Sequence, residues 1–306
     1  MAEMKKYILF VLLTVVPFTA IFAQDEEEKV KDKPVRAPFA SGYLIDNQTT
    51  MIPIEGTLEF AIQHKFGTIE NGKSDFFGIY APAANIRLAL NYVPFKNFQT
   101  GIGLSKERMY TDLNAKWTIL EQTRENTIPV AVALYGVVAV DGRNESAFGT
   151  GKVWHSGEGV AEFNLAFADR LSYFSQLIIG RKFGYALSLQ TGLSFTHYNM
   201  VERQFDHDKI GFHFNGRYNF SPQSSFIFNY DAPLNIQQIS EQLEVPQHHE
   251  PSVSFGIEIA TSTHAFQIYM GNAKGIIPQD IMMWNSNKFN FDNLAFGFTI
   301  TRIWNF

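Results

Sequence analysis

From Thr57 to Phe306, apolar side chains return at every second position in one segment after another, and helical periodicity is nearly absent. In "TLEFAIQHKF", Leu58, Phe60, Ile62, His64 and Phe66 point one way, while Glu59, Ala61, Gln63 and Lys65 point the other. "ANIRLALNY" sets Ile86, Leu88, Leu90 and Tyr92 against Asn85, Arg87, Ala89 and Asn91, and "TDLNAKWTI" sets Leu113, Trp117 and Ile119 against Asp112, Asn114 and Lys116. The same pattern recurs through Ile102–Leu104, Val130–Val140, Leu171–Ile179, Leu187–Phe195, Ile210–Phe220, Phe226–Tyr230, Val253–Ile259 and Phe266–Met270, and then through the closing "LAFGFTITRIWNF". About twelve strands follow, an even number in the range of membrane-spanning barrels.

Alternation also suits a soluble sandwich, so the connections must discriminate. Turns after even strands are short, near Pro94, Glu121, Lys182, Ser221 and Thr261. Connections after odd strands are mostly long: residues 67–82, 141–158, 199–208, 232–251 and 272–290, with only the link near Glu107 short. Short turns on one rim and long loops on the other are the asymmetry of a transmembrane antiparallel up-and-down β-barrel, whose short turns face the periplasm. Tyr92, Phe95, Phe98, Phe183, Tyr185, Phe220, Phe226, Trp304 and Phe306 gather beside the short turns. Amphipathic rings favour the membrane–water boundary, so these nine are expected to form the periplasmic aromatic girdle.

Composition agrees where it speaks. Phe accounts for 29 of the 306 residues, and Cys is absent, which excludes disulfides, thiolate metal sites and a lipidated N-terminal cysteine. "KKYILFVLLTVVPFTAIFAQDEEE" has the basic start, apolar core and small-residue exit of a secretory signal peptide, with cleavage expected after Ala23. Residues 24–50, charged and holding Pro34 and Pro38, read as a flexible periplasmic leader, and residues 51–306 as the barrel. The apolar stretch from Ile128 to Val140 is too short for a transmembrane helix and rich in β-branched Val. No basic stripe suggests nucleic acid. The address implied is the outer membrane, with lipid around the Phe-rich face and the barrel-assembly machinery engaging the C-terminal strand, whose last residue is aromatic. Arg302 interrupts that strand's greasy side near the rim, where it can snorkel.

The opposite faces of the strands are polar and carry both signs of charge. Glu59, Gln63, Lys65, Arg87, Asp112, Lys116, Gln190, His213, Arg217, Asp231 and Glu258 are expected to line the lumen. A hydrated lumen would make a passive channel or transporter for a small solute. A cross-linked, plugged lumen would make a structural or interaction barrel whose extracellular loops bind a partner. Ala131, Ala133, Val137 and Ala139 give the fifth strand an apolar inner face and favour some closure. In "KGIIPQDIMMWNSNKF", residues 274–289, six apolar residues suggest a short helix that plugs the mouth, or else contacts a partner or an apolar ligand.

Chemical motifs are weak. "GTGK" at 149–152 lacks the upstream glycine of a phosphate loop, "GIGLSK" at 101–106 fails the dinucleotide pattern, and no G-x-S-x-G elbow occurs. Metal ligation at Asp206–Asp208 or His248–Glu250 would need distant help. A lipid-modifying site on the outer wall around His64 and His197 is the third reading; an outward His there is more often an interface residue. No enzyme activity, catalytic residue, metal or cofactor is assigned.

"EFAIQHKFG", "DFFGIYAPAANIRLALNY" and "FGFTITRIWNF", with Gln48–Thr50 and "LIIGRKFGYALSLQTGLSF", together resemble a domain-of-unknown-function group of outer-membrane β-barrel proteins common in Bacteroidota. The likeness runs from about Leu44 to Phe306. It implies a barrel and an outer-membrane address and brings neither substrate nor catalytic residues.

Overall fold

Every alternating segment becomes one strand of a single closed sheet. The computed structural model describes residues 32–148, 152–154, 160–162, 165–201, 205–236 and 249–306. The expected signal peptide, residues 1–23, lies outside the described residues. The chain divides at Lys33, and the unit from Pro34 to Phe306 contains the barrel.

Two short strands come first, β1 (Tyr43–Leu44) and β2 (Asn47–Gln48), paired as a hairpin. The wall then begins with β3 (Thr57–Thr68), β4 (Asn85–Phe95), β5 (Phe98–Ser105), β6 (Thr111–Leu120) and β7 (Ala131–Val140). A second minor hairpin, β8 (Lys152–Trp154) and β9 (Val160–Glu162), belongs to the loop that follows. The wall continues through β10 (Leu171–Phe183), β11 (Leu187–Tyr198), β12 (Asp208–Asn219), β13 (Ser224–Leu234), β14 (Ser252–Ala260), β15 (His264–Gly271) and β16 (Ala295–Asn305). All twelve wall strands pair antiparallel with their sequence neighbours. β16 closes the ring on β3, with Trp304 opposite Leu58 and Phe298 opposite His64. Closure leaves no sheet edge, so the wall's backbone groups are satisfied without water, the condition for crossing lipid.

The side chains alternate as the sequence requires. Leu88, Leu104, Leu113, Leu193, Phe226 and Ile268 are exposed on the outer face, while their polar neighbours in each strand are buried in the lumen. Tight turns hold the short rim: Lys96–Asn97 joins β4 to β5 with Asn97 at φ 63°, a left-handed conformation that asparagine tolerates. Both ends of the wall, Thr57 and Asn305, lie at that rim and pair with each other.

One expectation is corrected. The leader anticipated over residues 24–50 as flexible is, in its C-terminal part, packed inside the barrel: Phe39 and residues 41–50 are buried. Pro34 bridges Thr123 at the short-turn rim, the chain rises into the lumen to the β1–β2 turn, and it returns to begin β3. The reversal at Ile45 has φ 56°, unusual for a β-branched residue. It is held from both sides, since Ile45 N–H donates to Gln267 Oε1 at 2.7 Å and its carbonyl accepts from Thr299 Oγ1.

Candidate functional site: the lumen

All eleven residues expected on the lumen side are buried there. The arginines pair with acids of the wall itself. Arg87 makes a bidentate contact with Asp112, Nε to Oδ2 at 2.8 Å and Nη2 to Oδ1 at 2.7 Å, and donates from Nη1 to Gln63. Gly103 lies between them in the ladder; any Cβ there would come within 2.4 Å of Asp112 and 2.5 Å of Arg87, so glycine makes room for the pair. Arg217 Nε stands 2.6 Å from Glu258 Oε1 in close charge contact, without hydrogen-bond alignment. Glu258 Oε2 also accepts from Gln267.

The lysines behave differently. Lys65 donates to Asp46 of the hairpin turn at 2.6 Å, and to the carbonyls of Ala273 and Gly275 in the loop above at 3.0 and 2.7 Å. Lys116 donates to Gln48 Oε1 and to the Gly42 carbonyl, and a Cβ on Gly42 would press on that ammonium at 3.1 Å. Lys182, at the short-turn end of β10, donates to the carbonyls of Arg36 and Ala37. Uncharged wall groups complete the cradle: Gln190, Asn229, Gln267 and Thr118 donate to main-chain oxygens of Gln48, Leu44, Tyr43 and Thr50. Asn91 donates to the Tyr43 hydroxyl. Apolar packing comes from two small clusters: Phe39, Leu44, Ile45, Ile227 and Tyr269, with Met51 beside them, and Tyr43 with Ala61 and Ala89.

At the long-loop mouth the segment before β16 folds inward, where the expected short helix forms as α1 (Pro278–Trp284). Ile277, Ile281, Met282 and Met283 pack on Tyr135, Val137, Phe174, Ile178 and Tyr198 of the inner wall. α1 lies against β10 to β13, and the inner face of β7 adds Ala133, Tyr135, Val137 and Ala139 to the same cluster. Asp280 accepts at one oxygen from the hydroxyls of Tyr110 and Tyr198, at 3.1 and 3.0 Å. Burial, countered by Arg108, raises its carboxyl to about 6. Arg108 lies over the Trp284 ring at 4.3 Å. The Tyr110, Tyr198 and Asp280 cluster was not legible in the sequence, because it joins three segments far apart in the chain.

Phe95 stacks on Phe98 at 4.8 Å, Phe220 meets Phe226 at 4.8 Å, and Tyr92, Phe183, Tyr185 and Phe306 are exposed. Arg302 faces outward with its guanidinium over the Trp304 ring at 4.7 Å, so the break in the apolar stripe is a cation–π pair.

His64 stacks on Phe298 at 5.2 Å on the outer face. His197 has Nδ1 at 2.6 Å from Asp208 and Nε2 at 3.0 Å from Asn199, so neither nitrogen is turned to a serine. A different constellation, unforeseen from the sequence, stands in the lumen. Ser194 Oγ lies 2.7 Å from His213 Nε2, and His213 Nδ1 lies 2.7 Å from Asp231 Oδ1. This is the contact order of a nucleophile, base and orienter. The three residues face one another across adjacent strands, where the wall's N–H groups are committed to the ladder. Asn47 of the hairpin shares the same Asp231 oxygen at 2.7 Å, so the set reads as a hydrogen-bonded anchor for the hairpin. His207 Nδ1 contacts the Tyr198 carbonyl and Asp208 contacts His197; among the described residues no group of three metal-ligating side chains gathers.

A closed twelve-stranded antiparallel barrel with an apolar outer face and a polar, ion-paired lumen defines a membrane β-barrel protein. Residues 39–304 match the family described as "Membrane bound beta barrel domain (DUF5777)", and the chain belongs to that family. The family's extent thus takes in the lumen hairpin as well as the wall. Among solved structures the chain is similar to the NanC porin, at 6% identity and TM-score 0.45, over 80% of this chain and 98% of that one. It is also similar to an outer-membrane channel from Pseudomonas putida F1, at 12% identity and TM-score 0.45, over 83% and 97%. The KdgM porin aligns at 8% identity and TM-score 0.40, over 82% and 99%. No functionally curated protein matches the sequence.

Proposed function

We propose that the protein is an outer-membrane passive channel for a small solute, closed at rest by its own N-terminal hairpin. The resemblance to barrels common in Bacteroidota supplies the address, and the rim aromatics suit the periplasmic boundary. The observation that carries the reading is the kind of contact holding the hairpin. Wall side chains donate mainly to its carbonyl oxygens, contacts that water or a polar solute can replace. Planar-bilayer recording tests it. The full chain should be nearly silent, and a variant lacking residues 39–50 should conduct. A variant that still migrates on gels as a heat-modifiable barrel yet passes no current would overturn it.

A second reading has its own support. The packing of α1 inside the mouth is core-like, as a structural barrel with partner-binding loops would require. Under that reading, removing the hairpin leaves the membrane sealed.

A further inference from the structure

The uncharged side chains that hold the hairpin have a chemistry of their own. Gln190 on β11, Asn215 on β12 and Asn229 on β13 stand directly opposite one another in the ladder, all on the lumen side and all buried. Gln267 on β15 adds a fourth buried carboxamide two strands further round the wall. A side-chain carboxamide carries the same donor and acceptor as a peptide unit. The hairpin meets three of these four with its main chain. Gln190 and Asn229 donate to the carbonyls of Gln48 and Leu44, each at 2.7 Å. Gln267 uses both ends, taking the Ile45 N–H at Oε1 (2.7 Å) and donating from Nε2 to the Tyr43 carbonyl at 2.9 Å. Glu258, itself in charge contact with Arg217, accepts from the same Gln267 nitrogen and fixes its orientation.

The hairpin uses only part of what this row offers. Gln190 Oε1, Asn215 Oδ1 and Asn229 Oδ1 are buried acceptors with no hydrogen-bond partner among the described residues. An unpaired buried carboxamide oxygen costs free energy, and an occupant that brings N–H groups recovers it. The two arginines do not compete for that occupant, since Asp112 and Glu258 of the wall hold them.

We infer that the carboxamide row is a peptide-binding surface, that the solute of the channel is a short peptide read by its backbone, and that the hairpin is a built-in peptide covering that surface at rest. The N-terminal chain passes through the lumen twice, rising from Pro34 to the β1–β2 turn and returning to β3, so its departure leaves room for one extended chain. The carbonyls of a bound peptide replace those of Leu44 and Gln48, and its N–H groups reach the oxygens that the hairpin leaves idle. Recognition through the main chain is indifferent to most side chains, as it is when a peptide adds to the edge of a sheet.

The inference rests on the channel reading, and block of the open pore separates the two. The variant lacking residues 39–50 is recorded in planar bilayers with trialanine, trisarcosine or maltotriose added to one side. Trisarcosine is the isomer of trialanine in which each amide N–H is replaced by N-methyl, and maltotriose is a polar control without peptide groups. Trialanine should interrupt the current at a concentration roughly tenfold below either control, because the row's acceptors stay unpaired with both of them. Gln190→Leu with Asn229→Leu in the same background should raise the half-blocking concentration of trialanine about fivefold or more. A conducting variant that trialanine fails to block, blocks no better than the controls, or blocks regardless of the amide changes overturns the peptide surface and leaves the channel reading standing. If the deletion does not yield a heat-modifiable barrel, the full chain carrying Asp46→Ala and Gln48→Ala gives openings for the same measurement. Absence of current from the folded variants overturns the channel reading, and the peptide surface falls with it.

Discussion

The wall and the hairpin inside it occupy the same barrel and are held by opposite means. Wall strands of eight to thirteen residues are fixed by ladder hydrogen bonds, and their register is repeated by the alternation of side chains. The hairpin has only two residues in each strand, and nearly everything that holds it comes from side chains of the wall. A ladder cannot be loosened at one residue without disturbing its neighbours. A set of separate side-chain contacts can be undone as a unit while the ladder stays intact, and this is the physical basis for a plug that leaves a folded barrel behind.

Breaking the wall's own ion pair should give the largest effect. Asp112→Ala leaves Arg87 buried without its carboxylate and should cost about 3–5 kcal/mol of barrel stability. Gly103→Val should be as damaging, because the added side chain displaces both partners. Urea unfolding in lipid vesicles, followed by the gel shift on boiling, measures both.

On the hairpin side, Asp46→Ala should leave barrel unfolding unchanged within about 0.5 kcal/mol while raising the frequency of channel openings several-fold, since Lys65 is hydrated once the hairpin departs. If unfolding shifts as much as for Asp112→Ala, the contrast between the two regions fails.

Acidity gives a smaller and graded effect. Burial, opposed by Lys65, raises the Asp46 carboxyl from 3.8 to about 6. The docked hairpin therefore binds this proton more tightly than the released one. Docking is favoured most below about pH 4 and weakens as pH rises through about 6, so openings of the full chain should be more frequent at pH 7.5 than at pH 4.5. Asp46→Asn should flatten that profile. The Ser194–His213–Asp231 set should give the least: no labelling by a serine-reactive fluorophosphonate, and current through the hairpin-deleted barrel unchanged by Ser194→Ala.

Much of the wall was legible because the side-chain period of a strand is two and lipid punishes any lapse in it. The segments quoted from Leu58, Ile86, Leu113 and Phe296 each match an observed strand within a few residues. The helix in "PQDIMMW" was legible from its apolar residues, but its position against β10 to β13 was not. The hairpin was not. "SGYLIDNQTT" is short, mixed in polarity and preceded by charge and proline, the composition of a linker. Only Asp46 among its residues carries charge, and nothing in its pattern names Lys65 or Lys116 as partners.

The sequence by itself determined which face of each strand meets lipid, how many strands there are, and which rim carries the short turns. All three are written in local periodicity and spacing, which need no knowledge of neighbours beyond the next turn. Tertiary structure alone decided who pairs with whom inside. Closing the sheet brings Gln267 to Ile45 across 222 positions and Asp280 to Tyr110 across 170. Such meetings depend on the stagger of the closed barrel, which alternation leaves unspecified. The charges of the lumen could be listed from the sequence. That its arginines are matched within the wall, while three of its lysines turn to the N-terminal segment, came only from the fold.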